Sequence, residues 1–454
     1  MNDLLLTFYG DDFTGSTDAM ECLELYGIPA VLFLAPPDRE RLAARFSHVR
    51  AVGVAGVSRT MTPAQMDAEL IPAFEALKAL NAPFFHYKIC STFDSSPTIG
   101  SIGHATELGC RVFNPPAVPM MVGAPFIRRY VVFGNLFARV GDITYRLDRH
   151  PTMSRHPITP MNESDLRLHL GRQTARKIGL VDIWHMDQGD EAAERWFRQA
   201  LADGAEIILF DTISDEHMRQ IGKIVWGLRG EQPVLLVGSS GFERAIGLHL
   251  RTIGALPQEP ALAADAGKVE QLIVVSGSCA PGTSEQIGYA IAHGFGDIRL
   301  NGPRLVDPST ADSEREAAAD QALAILGQDQ SVVLYSARGP EDPAIAATKA
   351  HLEQLGLDPH SLGERLGTQQ GRLLRMILER TGLRRACVAG GDTCGFAAKQ
   401  LGIFALRMVI PVAPGAPLCR ASSDAARFDG LEISLKGGQN GTAEYFIQIL
   451  NGKA

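Results

Sequence analysis

The segment LLLTFYGDDFTGSTD, residues 4–18, decides the fold. A short apolar run, Leu4–Phe8, breaks at Gly10, passes two adjacent carboxylates and enters a stretch with helical spacing. An apolar run of this length bounded by a glycine turn reads as a buried strand. The same unit recurs along the chain. Apolar runs lie at Ala30–Leu34, Val52–Val57, Ile207–Phe210, Val234–Val237, Leu272–Val275, Val332–Tyr335, Ala386–Ala389 and Leu431–Leu435. Helical periodicity marks Glu191–Ala202 and Glu314–Leu326. Buried strands alternating with helices predict α/β architecture, each sheet mostly parallel and flanked by helices. Functional loops then belong at the carboxyl ends of the strands.

The run Gly254–Gly267 (GALPQEPALAADAG) is rich in Ala, Pro and Gly, and a fresh strand begins directly after it at QLIVVSGS. This predicts two domains, 1–252 and 269–454, joined by a linker over 253–268. With 454 residues, 45% of them apolar and 21% charged, the chain can bury two cores, so disorder is excluded. A net charge of −8 offers no general attraction to nucleic acid or anionic membrane. Seven cysteines without a C-x-x-C pair point to neither a disulfide framework nor a zinc ribbon. The start, MNDLLLTFYGDD, lacks the basic segment of a signal peptide, and no apolar run approaches the ~18 residues of a membrane span. A cytoplasmic protein is expected.

Several loops can carry chemistry. In the opening segment Gly10 and Gly15 permit a tight turn, Thr14 or Ser16 can cap the next helix, and Asp18 is expected in its first turn. That leaves Asp11 and Asp12 unexplained, because adjacent carboxylates repel. They mark a site. The cluster Tyr87–Ser96 places Lys88, Ser91, Thr92 and Asp94 between a strand and a helix, where cation and hydroxyls suit a polyhydroxylated acid. Arg59 also ends a strand. Arg146–Met161 gathers arginines and histidines in an irregular segment, either a solvated or an anion-binding loop. In the second half, Ser276-Gly277-Ser278 opens a helix, where backbone amides can approach phosphate. The spacing Gly277 to Gly282 is that of a Walker loop, but Thr283 stands where that motif needs lysine. Gly390-Gly391-Asp392-Thr393 and Lys436-Gly437-Gly438 add two more glycine turns, and together the three suggest a nucleotide phosphate site.

In order, these segments resemble the four-carbon acid-sugar kinase family over nearly the whole chain. The matching pieces are D-D-F-T-G-x-T-D, K-x-C-S-T-F-D-S, R-H-P-x-T-P-M, S-G-S-C-x-x-x-T-x-x-Q, G-G-D-T, P-G-x-P and K-x-G-x-x-G. Many threonate and erythronate kinases carry K-x-D-S-T-x-R-G; here Cys90 and Asp94 replace the Asp and the Arg. The C-S-T-F-D-S form looks more like the 3-oxo-tetronate and branched 3-oxo-isoapionate kinases. The family's usual ending, K-S-G-x-F-G, is also altered, with Gly437 and Asn440 at the Ser and Phe positions.

The resemblance implies ATP as phosphoryl donor, with Mg²⁺ screening its phosphates; no metal ligand is assigned. It implies ATP contacts at Ser276, Ser278, Gly390, Gly391, Asp392, Thr393 and Gly437 or Gly438, to which Lys436 adds positive charge. It implies sugar-acid contacts at Asp11, Asp12, Arg59, Lys88, Ser91 and Thr92. Phosphoryl transfer needs positioning, charge neutralisation and a base. Arg59 and Lys88 suit the substrate carboxylate, and Asp12 is the expected base at the terminal hydroxyl. With acid loops in one domain and ATP loops in the other, the active site is expected in the interdomain cleft. Rival readings are a threonate or erythronate kinase, a Mg²⁺-dependent sugar-acid phosphate lyase or phosphatase, and a non-catalytic sugar-acid sensor. Oligomeric state is left open, a homodimer included.

Overall fold

The computed structural model describes residues 4–156 and 158–454; Met1–Asp3 and Pro157, part of the R-H-P-x-T-P-M segment, lie outside the described residues. The chain divides into two compact units, Met1–Ala261 and Leu262–Ala454.

The strands of the first unit are β1 (Leu6–Gly10), β2 (Ala30–Phe33), β3 (Ala51–Ala55), β4 (Phe84–Lys88), β5 (Val118–Met121), β6 (Arg129–Val132), β7 (Asn135–Val140), β8 (Ile143–Arg146), β9 (Ile178–Val181), β10 (Ile207–Phe210) and β11 (Val234–Gly238). The main sheet runs β2-β3-β1-β4-β11-β5-β10-β9, with parallel pairing throughout. Every residue of β1 is buried, as a strand covered on both faces requires. From β1 the chain builds first to one side, through β2 and β3, and then to the other through β4. This reversal is where open α/β sheets bind ligands. Register sets Gly10 level with both Ala55 and Lys88, so the ends of β1, β3 and β4 open at one height.

The helix after β1, Phe13–Leu25, is capped by Asp12, whose Oδ1 accepts the Gly15 amide at 2.8 Å. This corrects the expected caps. Thr14 and Ser16 lie inside the helix, where Ser16 donates to the Asp12 carbonyl at 2.6 Å, and Asp18 lies beyond the first turn.

A second, antiparallel sheet, β6-β7-β8, was not evident in the sequence. Phe133 and Gly134 connect β6 to β7 with φ of 50° and 78°, as a tight hairpin turn of matching twist demands. Asp211, fully buried just past β10, accepts the amides of Phe133, of Gly134 at 2.8 Å and of Ile183 at 2.9 Å. The segment read as irregular contains the end of β8 and two short 3-10 turns, Leu147–Arg149 and Met153–Arg155.

The second unit contains β12 (Ile273–Ser276), β13 (Gly296–Arg299), β14 (Val332–Tyr335), β15 (Arg385–Ala389), β16 (Ile403–Ala413), β17 (Ala416–Ser423) and β18 (Glu432–Lys436). Its order is β13-β14-β12-β15-β18-β17-β16, parallel as far as β18 and antiparallel beyond. Here the order reverses between β12 and β15, with Ser276 level with Ala389 and Ala389 level with Lys436. Val274, Ile287, Val333, Ile410, Leu418 and Phe446 are among its core residues. Among the described residues no helix is long and apolar enough to cross a membrane.

Candidate functional site

Two loop clusters occupy the two reversal points. In the first unit, Arg59 lies in the turn Ser58–Thr60 just beyond β3. Its Nε and Nη2 reach Asp11 at 3.1 and 2.8 Å, a bidentate pair, while Nη1 and Nη2 reach Asp12 at 3.0 and 2.9 Å. The two aspartates tolerate each other because one guanidinium serves both. They are not equivalent. The Asp11 side chain is 5% exposed and that of Asp12 is 28%. A carboxylate offers about four lone-pair sites; Gly15 and Arg59 occupy three on Asp12, leaving one on Oδ2 for an incoming hydroxyl.

Lys88 ends β4 and is buried, its Nζ 3.7 Å from Asp18. Burial works against its charge, but Asp18, then Asp12 and Asp11, outweigh it and hold its pKa above the ordinary lysine value. A Cβ added to Gly15 would stand 2.4 Å from Asp12 Oδ1 and 2.8 Å from Lys88 Nζ, so only glycine lets the helix start approach both.

Beyond Lys88 the chain turns through Phe93, whose φ of 56° is rare for a residue with a side chain. Its ring is fully buried against His169. His169 also meets Ser95 Oγ at 3.1 Å, and burial lowers its pKa to about 4, so it acts as a neutral partner. Held this way, the turn puts Cys90 Sγ 2.9 Å from Thr92 Oγ1, which donates to Asp94 at 2.5 Å. Burial opposes the charge of Asp94, yet Arg59, Thr92 and His156 together keep its pKa below the usual carboxylate range. Burial, then Asp94, pushes the Cys90 thiol up to about 11. Ser91 is buried beside them.

Of the expected acid-binding residues, Asp11, Asp12, Arg59, Lys88, Ser91 and Thr92 thus gather on adjoining strand ends. The reasons differ from those expected. Arg59 is committed to the two aspartates and Lys88 faces Asp18, so neither presents an unopposed cation. In the Arg146–Met161 segment, Arg146 is bound to Asp148 through two 2.7 Å bonds, and His150 accepts the amides of Thr152 and Met153. Asp94, part of the Lys88–Asp94 cluster but not among the contacts implied for the acid, belongs to this site through its bond from Thr92.

In the second unit the three glycine turns stack at the ends of β12, β15 and β18. Ser276 Oγ accepts the Ser278 amide at 3.4 Å and Ser278 Oγ accepts the Ala280 amide at 3.2 Å, folding the first loop into the helix Pro281–Ala292. Gly390 has a φ of 131°, and a Cβ there would stand 2.9 Å from Thr393 Oγ1 and 3.2 Å from the Ser278 amide. Gly391 and Asp392, both exposed, begin the helix Gly391–Gln400. Its ladder starts with the Cys394 amide bonding the Gly390 carbonyl, so earlier amides point outward for an anion.

Lys436 behaves otherwise than its expected role. It is fully buried, burial lowers its pKa, and its Nζ donates to Thr283 Oγ1 at 3.1 Å. Thr283 in turn donates to the Gly438 carbonyl at 2.9 Å, and Gln286 holds the carbonyls of Asn440, Gly441 and Thr442. Lys436 therefore braces the loop Gly437–Gly441 from beneath. Among the described residues no group of three or more His, Cys, Asp or Glu side chains forms a metal cluster.

Residues 6–246 match the model of a sugar-binding N-terminal domain and residues 273–446 that of a nucleotide-binding C-terminal domain. The chain is 47% identical to a 3-oxo-isoapionate kinase of Paraburkholderia graminis, over 99% of this chain and 95% of that protein. It is 30% identical to a 3-oxo-tetronate kinase of Cupriavidus necator, over 98% and 96%. Two crystal structures share the fold, each covering 98% of both chains: a Salmonella typhimurium LT2 protein with TM-score 0.77 at 22% identity, and a Haemophilus influenzae protein of the DUF1537 family with TM-score 0.72 at 23%. Matched along both halves by these domain models and over its full length by these kinases, the chain belongs to the four-carbon acid-sugar kinase family.

Proposed function

We propose that the protein transfers the γ-phosphoryl group of ATP to the terminal hydroxyl of a 3-oxo sugar acid, with the branched 3-oxo-isoapionate as its substrate. The observation that carries the choice is the 47% identity, over 99% of the chain, to a kinase named for that acid. A relative named for 3-oxo-tetronate is 30% identical.

The residues fit the chemistry. The remaining lone pair on Asp12 takes the hydroxyl's hydrogen bond. As the bond from that oxygen to phosphorus forms and the bond to the departing ADP oxygen breaks, the proton passes to Asp12. Arg59 holds Asp12 and Asp11 fixed while this occurs. Lys88, Ser91 and Thr92 supply donors for the other oxygens of the acid. In the second unit Ser276, Ser278 and the amides around Gly390–Thr393 and Gly437–Gly438 would hold the phosphates, supported by Lys436. Mg²⁺ is commonly held by one or two carboxylates plus phosphate oxygens rather than by a protein cage. Asp392, exposed beside the glycine turn, fits that arrangement. When bound, the ion neutralises phosphate charge. In-line transfer requires the hydroxyl and the γ-phosphate to meet.

An ADP-release screen against 3-oxo-isoapionate, both 3-oxo-tetronates, threonate and erythronate tests this reading. The highest kcat/KM is expected with 3-oxo-isoapionate. No ADP release with any of the five would overturn the kinase reading, and preference for a linear acid would overturn the substrate.

A further inference from the structure

A sugar acid brings a carboxylate, and the cations first expected to hold it are engaged: Arg59 by two aspartates and Lys88 by Asp18. Another cation is at hand. Arg129 opens β6, and its guanidinium lies within electrostatic reach of the Cys90 thiol and of His150. The Arg129 amide bonds the Ala124 carbonyl just past β5, and β5 is tied through β11 to the end of β4 by the Ser239 amide on Met121 and the Ile89 amide on Gly238, so Arg129 stands beyond the same strand ends as the acid-binding cluster.

Its surroundings are unusual. Nη1 donates to the carbonyls of Ile127, Arg128 and Arg139 at 3.2–3.4 Å, which fixes the side chain. Nε is buried without a hydrogen-bond partner. Among the described residues no carboxylate pairs with Arg129, and burial lowers its pKa with little compensation from Cys90 and Tyr130. A fixed, partly desolvated guanidinium with an idle donor and no counter-ion is costly unless an anion supplies the missing charge. Its planar fork matches a carboxylate.

We propose that Arg129 binds the carboxylate of the substrate, delivered to the cluster by the β6–β7 hairpin. The inference rests on the sugar-acid reading above and deepens it. The acid end sits against Arg129 and the terminal hydroxyl against Asp12, so carboxylate recognition and proton removal belong to opposite ends of one ligand.

The test compares 3-oxo-isoapionate with its carboxamide, measuring kcat and KM for wild type, Arg129→Gln and Arg129→Lys. Wild type should prefer the acid by about 10²-fold in kcat/KM, the scale of a charged hydrogen bond. Arg129→Gln should lose that preference through KM for the acid, with KM for ATP unchanged. Arg129→Lys, which keeps the charge, should lose at least tenfold with the acid and little with the amide; it decides the matter if the Gln variant fails to fold. Arg128→Gln, an exposed neighbour, should leave both constants unchanged. Equal use of acid and amide by wild type, or an undiminished preference in both Arg129 variants, would overturn the proposal. Absence of activity in wild type would instead overturn the kinase reading.

Discussion

Arg59 Nη1 donates to Asp12 Oδ2 at 3.0 Å while the rest of the same guanidinium grips Asp11, so the more exposed carboxylate is tethered through the neutralisation of the buried one. Removing the arginine should therefore do more than weaken substrate binding. Arg59→Met leaves two adjacent carboxylates, one of them buried, without a hydrogen-bonded counter-ion, Lys88 being the one cation left near them. A loss of about 3 kcal/mol in unfolding free energy is expected, the scale for breaking a buried pair from one side. Urea unfolding of the two proteins at pH 7 measures it; equal stability would show that the aspartates need no cation.

Gly15 offers a finer probe. The alanine Cβ would displace Asp12 Oδ1, which it would otherwise approach to 2.4 Å. Gly15→Ala should lower kcat by at least tenfold while ATP affinity, measured by calorimetry, stays at the wild-type value. An unchanged kcat would mean that the carboxylate's position is immaterial.

Gly391 tests the other unit. It is exposed at the start of its helix, so a larger side chain need not disturb packing. Gly391→Val should place a Cβ where backbone and phosphate are proposed to meet. ATP affinity should fall at least tenfold with the thermal midpoint retained. A folded variant binding ATP normally would remove this loop from the site.

The hairpin that carries Arg129 should respond to pH through Asp211. Burial pushes the pKa of this carboxyl up to about 6, against three amide donors. In the unfolded chain it would titrate near its ordinary value of about 3.9. Below that value both states are protonated and the group's contribution to stability is complete; it declines as pH rises through 6. A rise from about 3.9 to about 6 corresponds to about 3 kcal/mol. Asp211→Asn cannot titrate, so its thermal midpoint should gain on wild type between pH 4.5 and 7. A constant difference across that range would contradict the assignment.

Much of this was legible in the sequence. Ile207–Phe210 and Val332–Tyr335 are strands with the expected bounds, because four apolar residues between turns leave little alternative. The carboxylates after β1 and the lysine ending β4 were visible as residues out of place in apolar surroundings. Their pairing was not. That Arg59 spans both aspartates depends on register between strands 45 residues apart. Lys436 reads as positive charge for the phosphates from its place beside the glycine turn; only packing shows it beneath the loop. The β6-β7-β8 sheet leaves little trace in the sequence, since its strands are short, half-exposed and rich in arginine. The β16–β17 hairpin was obscured by Pro411 and by the Pro414-Gly415 turn. Arg129 had no local signal at all.

Asp12, on this mechanism, acts on the acid and not on the nucleotide. Asp12→Asn keeps the shape and removes the base, so steady-state kcat with saturating ATP and 3-oxo-isoapionate should fall by about 10²–10⁴. Calorimetric ATP affinity, taken on the same preparation, should match wild type. A near wild-type kcat would reduce Asp12 to a helix cap, and lost ATP binding would move the aspartate pair to the nucleotide's side; either result contradicts the account.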